Sequence, residues 1–418
     1  MFSERTNWKL AQNRFTQAVE EVRAGGARVL DLTVSNPTRA GLTYDSAAIL
    51  SALESELALD YDPQSKGLLP AREAVARYYG DRGVVDPERI VLTTSTSEGY
   101  SFVFRLLCNA GDELLVPKPS YPLFEFLADL QDVRLAPYPL IYDHGWQMDF
   151  PSLERAVTDR TRGVVVVHPN NPTGSYVHAG EMQLLNEFCR AHGLALIVDE
   201  VFLDYGLDAD VAITSGHVES NGHSGTGALA RPVEHGSTVA PASFPSFAGN
   251  REVLTFTLSG LSKISALPQM KVAWVVTSGP EEMAAAAMGR LEVIADTYLS
   301  MNAPIQWAVP ALLELRKGIQ RQLLERVRKN LAELDRQLAE QEACQRLSVE
   351  GGWYAVLRVP VTRSDEELAI ELVREKSVLV HPGHFYDFPR DGYLVLSLIT
   401  AEQEFSQGMS RVLEYLNS

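Results

Sequence analysis

The chain of 418 residues is predicted to be an α/β protein, with a large, mainly parallel sheet domain that carries helices on both faces and a smaller α+β domain. Short apolar runs rich in β-branched residues alternate with amphipathic stretches through most of the first 300 residues. This alternation is typical of parallel strands that are buried on both faces and connected by helices. Beyond residue 300, this alternation is replaced by one long amphipathic stretch and a few short strand-like segments, which indicates a second, smaller domain.

Six apolar runs in the first part of the chain are bounded by Gly, Pro or charged residues and are predicted to be strands. They are residues 89–93, 113–116, 163–168, 194–199, 253–258 and 272–277. Between them, residues 97–108 and 180–192 have helical spacing, and Gly193 is placed to end the second of these helices.

The second part of the chain has fewer and longer periodic segments. Residues 319–341 place their large apolar side chains on one stripe, which predicts a long amphipathic helix. Residues 365–375 also have helical spacing, with Ser364 and Glu367 spaced as a capping box. Residues 353–359 and 393–398 are predicted to be strands.

These segments predict the domain organisation. We expect residues 46–300 to form the large domain and residues 301–418 the small C-terminal domain, with residues 1–45 as an N-terminal arm or part of the small domain. Residues 217–250 are rich in Gly, Ser, His, Ala and Pro. Their apolar residues follow neither the helical nor the strand period, so the segment is predicted to be a long loop insertion. Two interpretations of that loop remain open, a tolerated surface insertion and a lid over a site.

Composition excludes several classes of function. Lys and Arg number 37 against 54 Asp and Glu, a formal net charge of −17, so the field of the protein repels nucleic acid and anionic lipid. The three cysteines are widely spaced and predict neither a disulfide framework nor a structural zinc site, so no metal is expected. No apolar signal region or membrane-length apolar run is apparent. We therefore expect a cytoplasmic protein whose partners are small molecules.

Polar residues follow four of the predicted strands, at the sheet edge where α/β proteins bind ligands. A hydroxyl-rich turn at residues 94–99 opens a helix, where backbone N–H groups favour a phosphate. Asn171 lies in a turn after a second strand, Asp199 ends a third, and Lys263 follows a fourth among small hydroxyl residues. Each has an ordinary explanation by itself: a helix cap, a turn, a structural ion pair and a solvated lysine.

Together, these strings resemble the class I/II aminotransferase family of fold type I pyridoxal-phosphate enzymes. The matching segments in chain order are residues 61–67, TTSTSEGY, GDELLVPKPSYPLF, NNPTG, IVDEVF, SGLSK and HPG. The resemblance implies a homodimeric, pyridoxal 5′-phosphate-dependent aminotransferase that transfers an amino group from an amino acid to a 2-oxo acid. It also implies that residues 46–300 form the cofactor-binding domain.

The resemblance also implies roles for individual residues. Lys263 would form the Schiff base with the cofactor aldehyde and carry the proton, while Asp199 would pair with the pyridine nitrogen. Asn171 would donate to the ring oxygen and Tyr121 would stack on the ring. The residues implied to hold the phosphate are Thr96, Ser97, Ser259, Ser262, Lys271 and, from the neighbouring subunit, Tyr61.

The sequence departs from the family pattern at three positions. Lys271 stands where the family has an arginine on the phosphate, which removes a bidentate contact. Phe202 replaces a tyrosine that donates to the ring oxygen, with Tyr205 as a candidate substitute. Val395 replaces the arginine that binds the substrate carboxylate.

Two residues are candidates for the missing carboxylate contact. Arg390 either supplies a guanidinium from a shifted loop or is a surface residue beside Asp391, and Asn36 is a weaker candidate in an SNPT turn. Because this contact is altered, two other functions remain open. One is a pyridoxal-phosphate lyase that eliminates or decarboxylates, and the other is a non-catalytic binding or regulatory protein that keeps the fold.

Overall fold

The computed structural model describes residues 1–207, 244–299 and 301–418. Most of the loop insertion predicted at residues 217–250 lies outside these ranges. Within them, the strands are β1 Leu30–Asp31, β2 Ile90–Thr93, β3 Glu113–Lys118, β4 Arg134–Tyr142, β5 Trp146–Met148, β6 Thr161–Val167, β7 Ala195–Asp199, β8 Thr255–Gly260, β9 Ala273–Ser278, β10 Gln345–Arg346, β11 Tyr354–Arg358, β12 Val378–Leu379, β13 His381–Pro382 and β14 Tyr393–Ser397.

Helices connect these strands, and they include the four that the sequence predicts. They are α1 Arg14–Ala24, α2 Ser46–Ser51, α3 Leu69–Tyr78, α4 Thr96–Leu107, α5 Phe124–Leu130, α6 Phe150–Ala156, α7 Ala179–His192, α8 Leu261–Ile264, α9 Glu281–Tyr298, α10 Ala303–Glu314, α11 Arg316–Leu338, α12 Asp365–Lys376 and α13 Glu402–Leu416. None of the helices in the described ranges is long and apolar enough to span a bilayer.

The large sheet has eight strands in the order β2-β9-β8-β7-β6-β3-β4-β5. Strands β8, β7, β6, β3 and β4 pair in parallel, whereas β9 is antiparallel to both of its neighbours and β5 to β4. The predicted α/β class with a mainly parallel sheet is therefore confirmed. The expectation that residues 272–277 form a parallel strand is wrong, because a continuous apolar run reports burial on both faces and not strand direction.

Successive side chains of the central strands point to opposite faces of the sheet, and helices cover both of these faces. In β6, Val165 and Val167 pack with α4 and α9 residues, while Val164 and Val166 pack against α7. On the β2 and β9 side of the sheet, α3 and α10 cover the apolar residues. This is the layered arrangement that the βαβ alternation predicts.

A smaller antiparallel sheet, in the order β10-β11-β14-β13, packs with α11 and α12 in a separate core. Strand β1 pairs in parallel with β12, so the N-terminal segment contributes to this part of the molecule. Helix α12 begins where the sequence indicates, since the Ser364 side chain accepts the backbone N–H of Glu367 at 3.2 Å. Helix α7 ends at Gly193 in the left-handed conformation, as predicted.

Candidate active site

Three adjacent parallel strands bring three of the sequence-predicted residues to one edge of the sheet. Lys263 follows β8, Asp199 ends β7, and Asn171 lies in the turn after β6. The carboxyl ends of neighbouring parallel strands meet at the same edge, and in a twisted α/β sheet that edge is where ligands bind. The structure therefore brings these side chains together, which the motif spacing alone could not show.

The amine of Lys263 lies against two adjacent aromatic rings, whose centres are 5.1 Å apart. Its Nζ is 4.8 Å from the centre of the Trp353 ring and 5.5 Å from that of Phe202. Burial lowers the pKa of Lys263 to about 8, although the Asp199 carboxylate opposes this shift. Among the described residues, none accepts a hydrogen bond from the amine. A buried lysine without an ion pair has a larger uncharged fraction at neutral pH than an exposed one, as a nucleophile requires.

Asp199 is held by two donors. The hydroxyl of Tyr100 donates to Oδ2 at 3.0 Å, and the backbone N–H of Val201 donates to Oδ1 at 3.0 Å. Burial raises the pKa of Asp199 to about 6, while these hydrogen bonds and the charge of Lys263 oppose the increase. Because desolvation dominates, a cationic partner at this carboxylate would be strongly stabilised.

Asn171 is buried, and its Oδ1 has no hydrogen-bond partner in the described parts of the chain. The turn around it is rigid: the amide of Asn170 donates to the carbonyl of Pro119 at 3.3 Å, and the Thr173 hydroxyl donates to Oδ1 of Asn170 at 2.9 Å. A buried amide oxygen without a partner costs free energy, so it fits a site that a polar ligand completes.

The N-terminus of α4 presents free donors to the same edge. Ser95 caps the helix by accepting the N–H of Glu98 at 3.1 Å. The hydroxyls of Thr96 and Ser97 make no hydrogen bond to a described residue. A Cβ on Gly99 would lie 3.0 Å from side-chain atoms of Leu258 and Val275, so glycine lets the helix approach the sheet closely. This helix end suits an anion such as a phosphate.

The remaining candidate phosphate residues differ in their environments. The hydroxyl of Ser259 is buried and donates to the backbone carbonyl of Glu200 at 3.2 Å, so its proton is already used. Ser262 is partly buried in α8, and its hydroxyl has no partner among the described residues. Lys271 is exposed, with a positive φ of 54°. Tyr61, the last phosphate candidate, is 81% exposed, and Tyr121, which is expected to stack on the ring, is 46% exposed.

The residues considered for the substrate carboxylate differ in their environments. Val395 is buried in β14, opposite Val356 and His381 on the neighbouring strands. Arg390 is exposed, and its guanidinium donates to the Tyr393 hydroxyl at 3.3 Å. Asn36 caps a short helical turn, where its side chain accepts from Thr38.

The sequence does not predict the observed contacts of three aromatic residues at the site. Tyr100 follows Thr96 by one helical turn, a spacing that would have placed it on the same face of α4. Tyr205 donates to the backbone carbonyl of Lys263 at 2.7 Å, so it does not replace the missing tyrosine hydroxyl at the ring oxygen. Nothing in the local sequence of Trp353 indicates its contact with Lys263, because Trp353 precedes β11 of the smaller sheet and Lys263 lies in α8 after β8 of the large sheet.

Comparisons with known proteins give one family. Residues 27–403 match the family model described as aminotransferase class I and II. The chain is 24% identical to glutamate-pyruvate aminotransferase AlaA of Haemophilus influenzae, over 94% of this chain and 91% of that protein, and 25% identical to alanine aminotransferase of Mycobacterium tuberculosis, over 96% and 89%. Its fold matches an alanine aminotransferase from Pyrococcus furiosus with a TM-score of 0.83 and 19% identity, covering 100% of both chains.

These findings agree with the constellation at the strand ends. They support an amino-group transferase that acts on amino acid and 2-oxo acid substrates, and they do not favour the lyase or non-catalytic alternatives. The desolvated amine of Lys263, the carboxylate of Asp199 and the N-terminus of α4 fit pyridoxal 5′-phosphate, the cofactor of this family. The chain belongs to the class I and II aminotransferase family of pyridoxal-phosphate-dependent enzymes.

Proposed function

We propose that Lys263 is the covalent anchor of pyridoxal 5′-phosphate and the base of the transamination, with Asp199 and Asn171 as its partners on the cofactor ring. The observation that carries this proposal is the meeting of a desolvated amine and a partly buried carboxylate at two adjacent strand ends, with the buried Asn171 at the end of the next strand.

The other side chains would hold the cofactor at its remaining faces. Tyr121, half exposed, would cover one face of the ring. The free hydroxyls of Thr96, Ser97 and Ser262, the first turn of α4 and the charge of Lys271 would bind the phosphate. Ser259 would bind the phosphate by turning its hydroxyl proton from the carbonyl of Glu200 to a phosphate oxygen.

Pyridoxal phosphate supplies an aldehyde and an electron-withdrawing ring when it is bound. Asp199 would hold the proton on the pyridine nitrogen, because the buried carboxylate is stabilised by a cationic partner. The Lys263 amine, freed when the amino donor takes its place, would remove the proton from the α-carbon of the donor and return it. The rings of Trp353 and Phe202 would exclude water from that amine.

The substrate carboxylate would be bound by Arg390, with Asn36 nearby as a polar contact. Arg390 makes no ion pair with a described residue, and its guanidinium donates only to the neutral hydroxyl of Tyr393 within the described ranges. Because relatives are named for glutamate, alanine and pyruvate, we propose alanine and glutamate as amino donors and pyruvate and 2-oxoglutarate as acceptors to test first.

The enzyme would act as a homodimer. Three exposed apolar side chains, those of Leu59, Tyr61 and Leu299, line one cavity of about 460 Å³. Large apolar side chains exposed together mark an interaction surface. In a dimer formed through this surface, Tyr61 would reach the phosphate of the neighbouring subunit. A cytoplasmic location is proposed from the three unpaired cysteines.

The proposed domain division follows the cores except at α10, which lies after residue 300 but packs on the large sheet. Residues 46–300 would form the cofactor-binding domain, and residues 301–418 the small domain that residues 1–45 join through the pairing of β1 with β12. Helix α10 packs on the side of the large sheet, whereas α11 belongs to the core of the smaller sheet. Residues 208–243, which include most of the proposed insertion, lie outside the described residues.

A single-turnover measurement tests the proposed function. Enzyme loaded with pyridoxal phosphate is mixed with alanine or glutamate in the absence of a 2-oxo acid. We expect one equivalent of pyruvate or 2-oxoglutarate per site, with conversion of the cofactor to pyridoxamine phosphate. Release of ammonia with the aldehyde form retained would contradict transamination, and so would a complete lack of reaction with every amino acid of a broad panel.

A further inference from the structure

We propose that Tyr100 is a positioning residue of the active site, whose hydroxyl holds the Asp199 carboxylate in the orientation and charge state that the pyridine nitrogen requires. This inference rests on the role proposed for Asp199. It concerns a residue that does not itself touch the cofactor and that acts through the carboxylate.

The contact geometry fixes the carboxylate from two sides. Tyr100 donates to Oδ2 at 3.0 Å and the backbone N–H of Val201 to Oδ1 at 3.0 Å. These donors come from different elements, α4 and the segment after β7, so together they define the plane of the group. A carboxylate oxygen accepts more than one hydrogen bond, and acceptor capacity therefore remains for the ring nitrogen.

Tyr100 is itself held in place. Its side chain is only 3% exposed, and its ring packs edge-on against Phe104 and Phe124, with centroid distances of 5.8 Å and 5.3 Å. A buried phenol is stable when its hydroxyl has a partner, and Asp199 supplies that partner. The hydroxyl is thus directed at the carboxylate by packing that does not depend on a ligand.

Helix α4 links two parts of the site. Thr96 in its first turn is proposed to bind the phosphate, and Tyr100 lies one turn later, about 6 Å along the helix axis. Residues four apart lie on the same face of a helix. One rigid element therefore places the phosphate donors and also directs the group that holds the pyridine nitrogen, so the distance between the two contacts is built into α4.

The hydroxyl also acts on the charge of the carboxylate. Burial raises the pKa of Asp199, whereas a hydrogen bond to the anion opposes that increase. A carboxylate kept anionic leaves the shared proton on the ring nitrogen. Without the hydroxyl of Tyr100, the proton would lie closer to Asp199, and the ring would withdraw less electron density from the α-carbon.

The test is Tyr100→Phe in the pyridoxal-phosphate-loaded enzyme, which keeps the packed ring and removes only the hydroxyl. We expect kcat to fall roughly tenfold or more, as for the loss of a hydrogen bond to a charged group. KM for the amino donor should change by less than about twofold, since the substrate makes no contact with Tyr100. With ¹⁵N-labelled pyridoxal phosphate, the ring-nitrogen resonance should move toward that of an unprotonated pyridine.

Tyr138→Phe is the matched control. The Tyr138 hydroxyl is buried in the same sheet and donates to the backbone carbonyl of Val165 at 2.9 Å. Its loss should leave both kcat and the nitrogen resonance unchanged. A resonance and a kcat in Tyr100→Phe that equal those of the wild type would overturn the proposal.

A double-mutant cycle separates this role from packing. In an Asp199→Asn background, Tyr100→Phe should cause little further loss of kcat, because the two residues act as one unit. An equal loss in both backgrounds would overturn the proposal. A wild-type enzyme that binds no pyridoxal phosphate would contradict the proposed function as well, whereas a loaded wild type with an unaffected Tyr100→Phe variant contradicts only the role of Tyr100.

Discussion

The amine of Lys263 lies 4.8 Å from the centre of the indole ring of Trp353, which follows it by ninety positions and immediately precedes β11 of the smaller sheet. The ring attracts a cation over its face, but it cannot accept the proton as a carboxylate would. It also removes water from one side of the amine. This removal of water, and not the attraction of the ring for a cation, favours the uncharged amine near neutral pH, which is the form that attacks an aldehyde.

Lys263→Met should stabilise the cofactor-free enzyme. The variant removes a buried charge, and we expect its free energy of unfolding at pH 7 to exceed that of the wild type by about 1–3 kcal/mol. The pKa of Lys263 is about 8 in the folded protein against an ordinary value of 10.5, so the folded form binds fewer protons than the unfolded chain between these values. Wild-type stability should therefore rise with pH through that window, and the difference from the variant should shrink.

Urea denaturation from pH 7 to pH 10.5 measures this effect. A matched control is Lys329→Met, which removes an exposed lysine in α11 that pairs with Glu325. That variant should gain no stability at pH 7. A Lys263→Met enzyme that is less stable than the wild type at pH 7, or a difference that grows with pH, would contradict the desolvated amine.

Asp199→Asn should impair catalysis more than folding. The amide cannot hold a proton on the pyridine nitrogen by its charge, so we expect kcat to fall on the order of a hundredfold, at the upper end for a lost charge-assisted contact. The affinity for pyridoxal phosphate should fall less, because the phosphate contacts remain. Steady-state kinetics and cofactor titration measure the two effects. A kcat within about threefold of the wild type would be inconsistent with the role of Asp199.

Arg390→Ala should raise KM for the amino acid by about tenfold, with a smaller effect on kcat, since the guanidinium is proposed to bind the carboxylate. Arg374→Ala removes another exposed arginine, one that pairs with Glu21, and serves as the control. Amines that lack a carboxylate should be affected by neither change. An unaltered KM in Arg390→Ala would show that the carboxylate is bound elsewhere.

Gly174→Ala should destabilise the turn that carries Asn171. Gly174 has a φ of +72°, and a Cβ there would lie 2.5 Å from the carbonyl oxygen of Gly351. We expect a loss of about 2–3 kcal/mol in the free energy of unfolding, from a strained backbone and a clash. Gly180→Ala is the control, since a Cβ at that helical position meets nothing within 4 Å and should be neutral or stabilising. Equal stability of the two variants would contradict this account.

Much of the fold was predictable because local patterns determine it. The apolar runs predicted six strands of the large sheet, and capping residues such as Ser364 marked helix ends. Strand β4 was missed because its alternate residues are partly exposed and it contains two prolines. The reversed direction of β9 depends on how the chain returns to the sheet, which no local pattern of residues encodes.

The candidate site was predictable only in part, for a similar reason. Motif order identified Lys263, Asp199 and Asn171, whose positions at strand ends follow from the sheet. The contacts of Trp353 and Tyr205 with Lys263 join residues that are distant in sequence and carry no shared pattern. The bond from Ser259 to the carbonyl of Glu200 likewise depends on the pairing of two strands, which the motif around Lys263 does not show.

Reduction of the pyridoxal-phosphate-loaded enzyme with borohydride, followed by peptide mass spectrometry, tests most directly whether Lys263 is the covalent anchor. The reduced link is stable, so the modified lysine can be identified after digestion. We expect one pyridoxyl group per chain, on the peptide that contains Lys263, and none on Lys271. A pyridoxyl group on a different lysine, or an unmodified Lys263 in fully loaded enzyme, would contradict the account.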